Sequence, residues 1–170
     1  MLSRKVQRAV AFLAVAVILI FIIVKRSSSG LDYKVPDFKR NQLDGERVRS
    51  SHLEYDPFDE IRSLLIKSPV VIFSKSYCPH SRFVKTLLSE DYKMVPPPII
   101  KELDLDPHGS DLQDALLEIS GRRTVPNVFV GGESLGGGDE MRLLHGQNQL
   151  VQAFKKNAGK RFRISKVNKN

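Results

Sequence analysis

Residues 75–81 read "KSYCPHS", and Cys78 is the only cysteine in 170 residues. Two residues between cysteines is the spacing of a thiol–disulfide redox pair; here Ser81 stands where the second thiol would be. One thiol cannot close an internal disulfide, and it excludes a structural zinc site built from several thiolates. It keeps one kind of chemistry, attack of its thiolate on a disulfide sulfur. The flanking residues favour that chemistry. "PVVIFS" (residues 69–74) is a short apolar, β-branched run that reads as a buried strand. "PHSRFVKTLLSE" places Phe83, Val84, Leu87 and Leu88 on one helical face, with Pro79 in the first turn, where proline is welcome. Cys78 therefore opens a helix, where unpaired backbone N–H groups and the helix dipole favour negative charge. A thiol so placed is expected in the range of about 3.5–7.5. Lys75 adds a cationic neighbour and Ser81 a hydrogen-bond donor. His80 adds a second cation when protonated, or is simply a solvent-facing helix residue. A lone cysteine is commonly a small buried apolar residue, but Tyr77, Pro79 and His80 surround this one at an exposed junction, so it reads as reactive.

The elements that must position this thiol follow a regular alternation. "DPFDEIRSLLIKS" has Phe58, Ile61, Leu64 and Leu65 at helical spacing, with Asp56 or Asp59 available as a cap. "PPIIKELDLD" alternates over residues 99–105 and reads as a second strand, and "GSDLQDALLEISG" as a helix ending at Gly121. "VPNVFVGGESLGG" gives two strands around Gly131 and Gly132, a hairpin signal. "DEMRLLHGQNQLVQAFKKN" reads as a last helix with Met141, Leu144, Leu150, Val151 and Phe154 as its apolar set. A parallel βαβ unit followed by an antiparallel hairpin and a closing helix is a thioredoxin-like α/β layout.

Three stretches, "FSKSYCPHS", "GRRTVPNVFVGG" and "LGGGDE", together resemble a glutaredoxin in order and spacing over residues 57–158. The single thiol makes the chain similar to monothiol glutaredoxins, and the segment before the domain resembles the membrane-anchored yeast members of the early secretory pathway. The resemblance implies a mixed four-stranded sheet flanked by helices and a glutathione site. Lys75 and Tyr77 would border the thiolate and the glycyl carboxylate, and Gln113 would contact that carboxylate. Thr124, Val125 and Pro126 would form the facing loop, with Val125 pairing its backbone with the cysteinyl unit and Pro126 in cis. Gly137 and Gly138 would allow close backbone approach, and Asp139 and Glu140 would hold the γ-glutamyl end. Family members usually have Thr or Ser, then Asp, at those last two positions, which puts the donor geometry here in question. Read singly, residues 124–126 are also an ordinary strand entry, and Asp139 also an N-cap.

Two functional readings follow. In the first, Cys78 exchanges glutathione with glutathionylated proteins or other mixed disulfides, and free glutathione resolves the adduct. In the alternative, the resemblance implies a [2Fe–2S] cluster held between two copies by Cys78 of each and two glutathiones. That alternative is not favoured: the resemblance implies that the cluster-binding Cys-Gly-Phe-Ser members carry an insertion before the active Cys, absent here where only two residues separate Lys75 from Cys78, and that a proline like Pro79 beside the Cys disfavours ligation. No other metal site is expected.

The formal net charge is +8. Residues 1–56 contribute +4, residues 57–158 contribute −1 and residues 159–170 contribute +5. Cations on the termini rather than on the domain argue against nucleic-acid binding. The tail 159–170, "GKRFRISKVNKN", is expected to be a solvated end that can touch an anionic membrane surface. Residues 9–24 are uncharged and apolar, with Arg4, Lys5 and Arg8 before them and Lys25 and Arg26 after. Slightly short for an average bilayer, the run is read as a transmembrane signal anchor. The positive-inside rule leaves residues 1–8 in the cytosol and carries the domain across. The expectation is a single-pass type II membrane protein of the ER or Golgi with a lumenal domain, residues 25–56 serving as a stalk.

Overall fold

The computed structural model describes residues 55–167. The predicted cytosolic N-terminus, the predicted anchor (9–24) and nearly all of the predicted stalk lie outside these. Among the described residues no helix is long and apolar enough to cross a membrane.

Helix α1 (Pro57–Lys67) starts where Asp56 accepts a hydrogen bond from the Phe58 amide at 2.8 Å. Such a cap contributes about 1 kcal/mol. Strand β1 (Val70–Ser74) follows, buried along its whole length. Helix α2 (Pro79–Glu90), strands β2 (Tyr92–Val95) and β3 (Ile99–Glu102), and a 3-10 turn (Leu103–Leu105) come next. Helix α3 (Gly109–Ser120) ends on left-handed Gly121. Strands β4 (Asn127–Val130) and β5 (Glu133–Ser134) form the hairpin. Helices α4 (Gly138–Gly146) and α5 (Leu150–Asn157) precede strand β6 (Arg163–Lys166).

The central sheet runs β3-β1-β4-β5. β1 is parallel to β3 (Val71 beside Ile99) and antiparallel to β4 (Val71 beside Phe129). Since side chains alternate across a strand, β1 serves two cores. Val70 and Ile72 join Val84, Leu87, Leu88, Val128, Met141 and Phe154 under α2, α4 and α5. Val71 and Phe73 join Ile61, Leu65, Leu112, Leu116 and Phe129 under α1 and α3. This is the four-stranded mixed sheet expected above.

Three local expectations change. The strand expected over residues 99–105 tightens into the 3-10 turn at Leu103. The single closing helix is two, broken where Asn148 takes a positive φ of 55°. The tail is not a solvated end over its first half: β6 pairs antiparallel with β2, Met94 beside Ile164, in a separate two-stranded ribbon. Phe162 and Ile164 are buried against the first core while Arg163, Ser165 and Lys166 stay exposed. The apolar pair gives the tail something to bury, so burial outweighs its charge.

Phe162→Ala is therefore expected to lower stability in urea by about 3 kcal/mol with an unchanged slope. A midpoint that does not move would return the tail to solvent.

Candidate active site

Cys78 is the N-cap of α2, with extended backbone (φ −73°, ψ 122°), and Pro79 is the first helical residue. Its amide donates to the Lys75 carbonyl at 3.1 Å, and its carbonyl accepts from the Arg82 amide at 3.0 Å. The sulfur is half-buried and lies 3.6 Å from the Val125 carbonyl oxygen. Burial pushes the thiol up. The amide and hydroxyl of Ser81, the amide of His80 and the charge of Lys75 more than offset it, and the thiol is net lowered from its ordinary value. Of the three residues expected to tune the thiol, Lys75 contributes through its charge, Ser81 through its amide and hydroxyl, and His80 through its backbone.

Ser81 is buried, and its hydroxyl also accepts from the Lys75 amide at 3.4 Å. A hydroxyl can accept from one group and donate to another, so Ser81 ties the β1–α2 loop to the helix it helps charge. A second tie was not visible in the sequence. Asp104, in the 3-10 turn, accepts from the Ser76 amide at 2.9 Å and from the Ser76 hydroxyl. Those two bonds hold its carboxyl below the usual range. Only the fold brings residues 76 and 104 together.

The opposite wall is the loop before β4. The Val125–Pro126 peptide bond is cis, as the resemblance implied. Gly137 packs against it, since a Cβ there would lie 2.8 Å from the Pro126 carbonyl oxygen. A Cβ on Gly138 would lie 3.3 Å from that of His80, so α4 begins against the first turn of α2. Cys78, His80, Val125, Pro126, Gly137 and Gly138 therefore meet. Tyr77 is 67 % exposed beside the thiol. Lys75 is half-buried, and Thr124 and Asp139 are exposed.

Gln113 and Glu140 each make contacts within the chain. The Gln113 amide donates to the Arg123 carbonyl at 2.9 Å, and Arg123 pairs with Asp114 at 2.6 Å. Gln113 thus braces the loop carrying Thr124. Glu140 accepts from the Gly137 amide at 2.7 Å and pairs with Arg122 at 2.5 Å. The Gly137 bond, its own amide and Arg122 together keep its carboxyl low. Its carboxylate closes the first turn of α4, which leaves Asp139 as the exposed acid there. Arg122, not singled out in the sequence, stands against Gly137 as well.

A [2Fe–2S] cluster takes four thiolate-type ligands, and this chain carries one thiol. Among the described residues no group of three His, Cys, Asp or Glu converges.

A thiol at a helix N-cap position, facing a cis-proline loop beside a mixed sheet, defines the thioredoxin-like class. The Glutaredoxin family model matches residues 70–135. The chain is 46% identical over 93 residues to a glutaredoxin of Ricinus communis, covering 53% of this chain and 85% of that protein. It is 41% identical over 107 residues to monothiol glutaredoxin-7 of Saccharomyces cerevisiae, covering 63% of this chain and 53% of that longer protein, about half its length. The buckwheat glutaredoxin–glutathione complex matches with a TM-score of 0.53 and 33% identity, over 61% of this chain and 91% of that one. The chain belongs to the glutaredoxin family.

Only the thiolate is alkylated, so the rate of Cys78 carboxymethylation rises with pH and levels off above its pKa. Because that pKa is lowered, the midpoint is expected below the ~8.5 of a free thiol. Ser81→Ala removes a donor to the thiolate and moves the midpoint up. A wild-type midpoint at ~8.5 would overturn the assignment.

Proposed function

We propose that this chain is a glutathione-dependent thiol–disulfide oxidoreductase that exchanges glutathione with proteins or small thiols by a monothiol cycle. The observation that carries this is Cys78, a thiol with lowered pKa at the N-terminus of α2, 3.6 Å from the Val125 carbonyl, with no second cysteine in the chain. The yeast relative, a monothiol glutaredoxin, and the buckwheat glutaredoxin in complex with glutathione support it.

The cycle balances with glutathione as reductant. The Cys78 thiolate attacks the glutathione sulfur of a protein–glutathione disulfide. A Cys78–glutathione bond forms, the old bond breaks, and the protein thiolate leaves and takes a proton. A second glutathione thiolate then attacks the glutathione sulfur on Cys78, yielding glutathione disulfide and regenerating the Cys78 thiolate. Net direction follows the surrounding glutathione poise.

Glutathione carries two carboxylates and one ammonium group, and the site offers a counterpart to each. The cysteinyl unit pairs with the Val125 backbone beside Pro126. The glycyl carboxylate lies toward Lys75, Tyr77 and Thr124 on the loop braced by Gln113. The γ-glutamyl end lies over Gly137 and Gly138, its carboxylate at the start of α4, its ammonium group toward Asp139. Glu140 serves indirectly, by holding Arg122 and the turn. In this reading residues 9–24 anchor the domain in the early secretory pathway with its site in the lumen.

Cys78→Ser is expected to abolish glutathione-coupled turnover. Asp139→Ala is expected to raise the KM for glutathione several-fold while leaving the alkylation midpoint of Cys78 in place; an unchanged KM would remove Asp139 from the site. Ser81→Cys is expected to form an internal disulfide with Cys78 on oxidation, seen as a loss of 2 Da by mass spectrometry. Its absence would mean that the two side chains do not meet.

A further inference from the structure

The glutathione path proposed above runs from Cys78 along Val125 to the start of α4 and leaves the outer face of α2 unused. An open cleft of about 460 Å³ begins there at Pro79, the residue after the thiol. It runs past Arg82, Phe83 and Thr86 to Glu90 and Asp91. Arg82 and Thr86 are exposed, and Phe83 is half-buried. The guanidinium of Arg142, on α4, lies over the Phe83 ring, 3.9 Å from its centroid. A guanidinium stacked in this way keeps its N–H edge for a planar anion. Among the described residues neither arginine has a carboxylate partner. The first turn of α2 holds no acid that could supply one. The cleft is thus polarised along its length, with two arginines and an aromatic ring at the thiol end and two acids at the far end.

We propose that this cleft receives the polypeptide around the glutathionylated cysteine of a protein substrate, and that it selects segments with a carboxylate about two residues from that cysteine. The proposal rests on the glutathione-exchange reading of Cys78 and names the substrate class of that site. When Cys78 attacks the glutathione sulfur, the leaving protein sulfur lies two S–S lengths away, about 4 Å. The substrate backbone therefore lies against the residues that border the thiol, and on the α2 side these lead into the cleft. Arg82 is four helical residues from Cys78, about 6 Å along the axis and the span of two residues of extended chain at ~3.3 Å each. Glu90 is twelve residues on, about 18 Å, or about five or six extended residues. A carboxylate near the substrate cysteine meets Arg82 and Arg142, whereas one six residues away meets carboxylates. Charge at the rim of an interface acts chiefly on the rate of encounter, which is read in kcat/KM.

The test is steady-state turnover, by the full chain, of two glutathionylated peptides of identical composition. One carries Glu two residues before and after its cysteine, the other six residues before and after. Both have the same net charge, and the paired placement makes the result independent of chain direction. The first peptide should show a kcat/KM about fivefold higher, falling toward equality at about 0.5 M salt, where screening is nearly complete. The double variant Arg82→Gln/Arg142→Gln should lose the preference while keeping wild-type turnover of the cysteine–glutathione disulfide, which is too short to reach the cleft. Equal kcat/KM for the two peptides with the wild type, or a preference that survives the double variant, overturns the proposal and leaves the glutathione-exchange reading standing. A chain that turns over neither the peptides nor the cysteine–glutathione disulfide overturns that reading, and the proposal with it. A preference that fades as the protein concentration rises puts a second copy of the chain in the cleft and overturns the assignment to substrate.

Discussion

The site depends on holding negative charge on one sulfur without a second thiol. Burial of Cys78 opposes that charge, and a short list of groups answers it: two amides and a hydroxyl in the first turn of α2, and the charge of Lys75. Each acts only at close range, so the first turn must stay fixed relative to the preceding strand. β1, buried on both faces, supplies the fixed point. The bonds from Ser81 to Lys75 and from Asp104 to Ser76 carry that fixity through the four-residue loop to the cysteine. The Val125 carbonyl opposite stands where it accepts from the neutral thiol and offers nothing to a thiolate. The net lowering therefore comes from the helix side alone.

The same economy shapes the wall beyond Pro126. Backbone there approaches backbone, and Gly137 and Gly138 are required by contact rather than by turn geometry. A glycine-rich helix start has no side chain to cap itself. Glu140 supplies the cap by reaching back to the Gly137 amide. Arg122 then balances the carboxylate beside this turn. Glu140, expected from the resemblance as a ligand contact, supports the first turn of α4.

What the sequence disclosed and what it hid divide by range. Cys78 at a strand-to-helix junction was legible because β-branched residues 70–72 and the helical face of Phe83, Val84 and Leu87 have different periods, with Pro79 marking the boundary. The β4–β5 hairpin was legible from Gly131 and Gly132. The tie between Ser76 and Asp104 was not, since 28 residues separate them and neither carries a local signal. Strand β6 is an intermediate case. Phe162 and Ile164 alternate with Arg161, Arg163 and Ser165, a period-two pattern, but charge dominates the stretch and its partner lies seventy residues earlier. The break between α4 and α5 had its signal in Gly146 and Asn148, outweighed by apolar positions on either side that keep helical spacing across the gap.

Ser81 draws these points together. Its side chain is fully buried, whereas the sulfur of Cys78 is half-exposed. A disulfide arriving from solution meets Cys78 first and cannot reach position 81. A thiol there would act only by moving inward against Cys78, and the chain has a hydroxyl instead, which accepts from the Lys75 amide. Resolution of an adduct on Cys78 must then come from the open side, between the Val125 loop and the start of α4. Attack from that side requires a small thiol held along the loop. Glutathione is the small thiol we propose for that role.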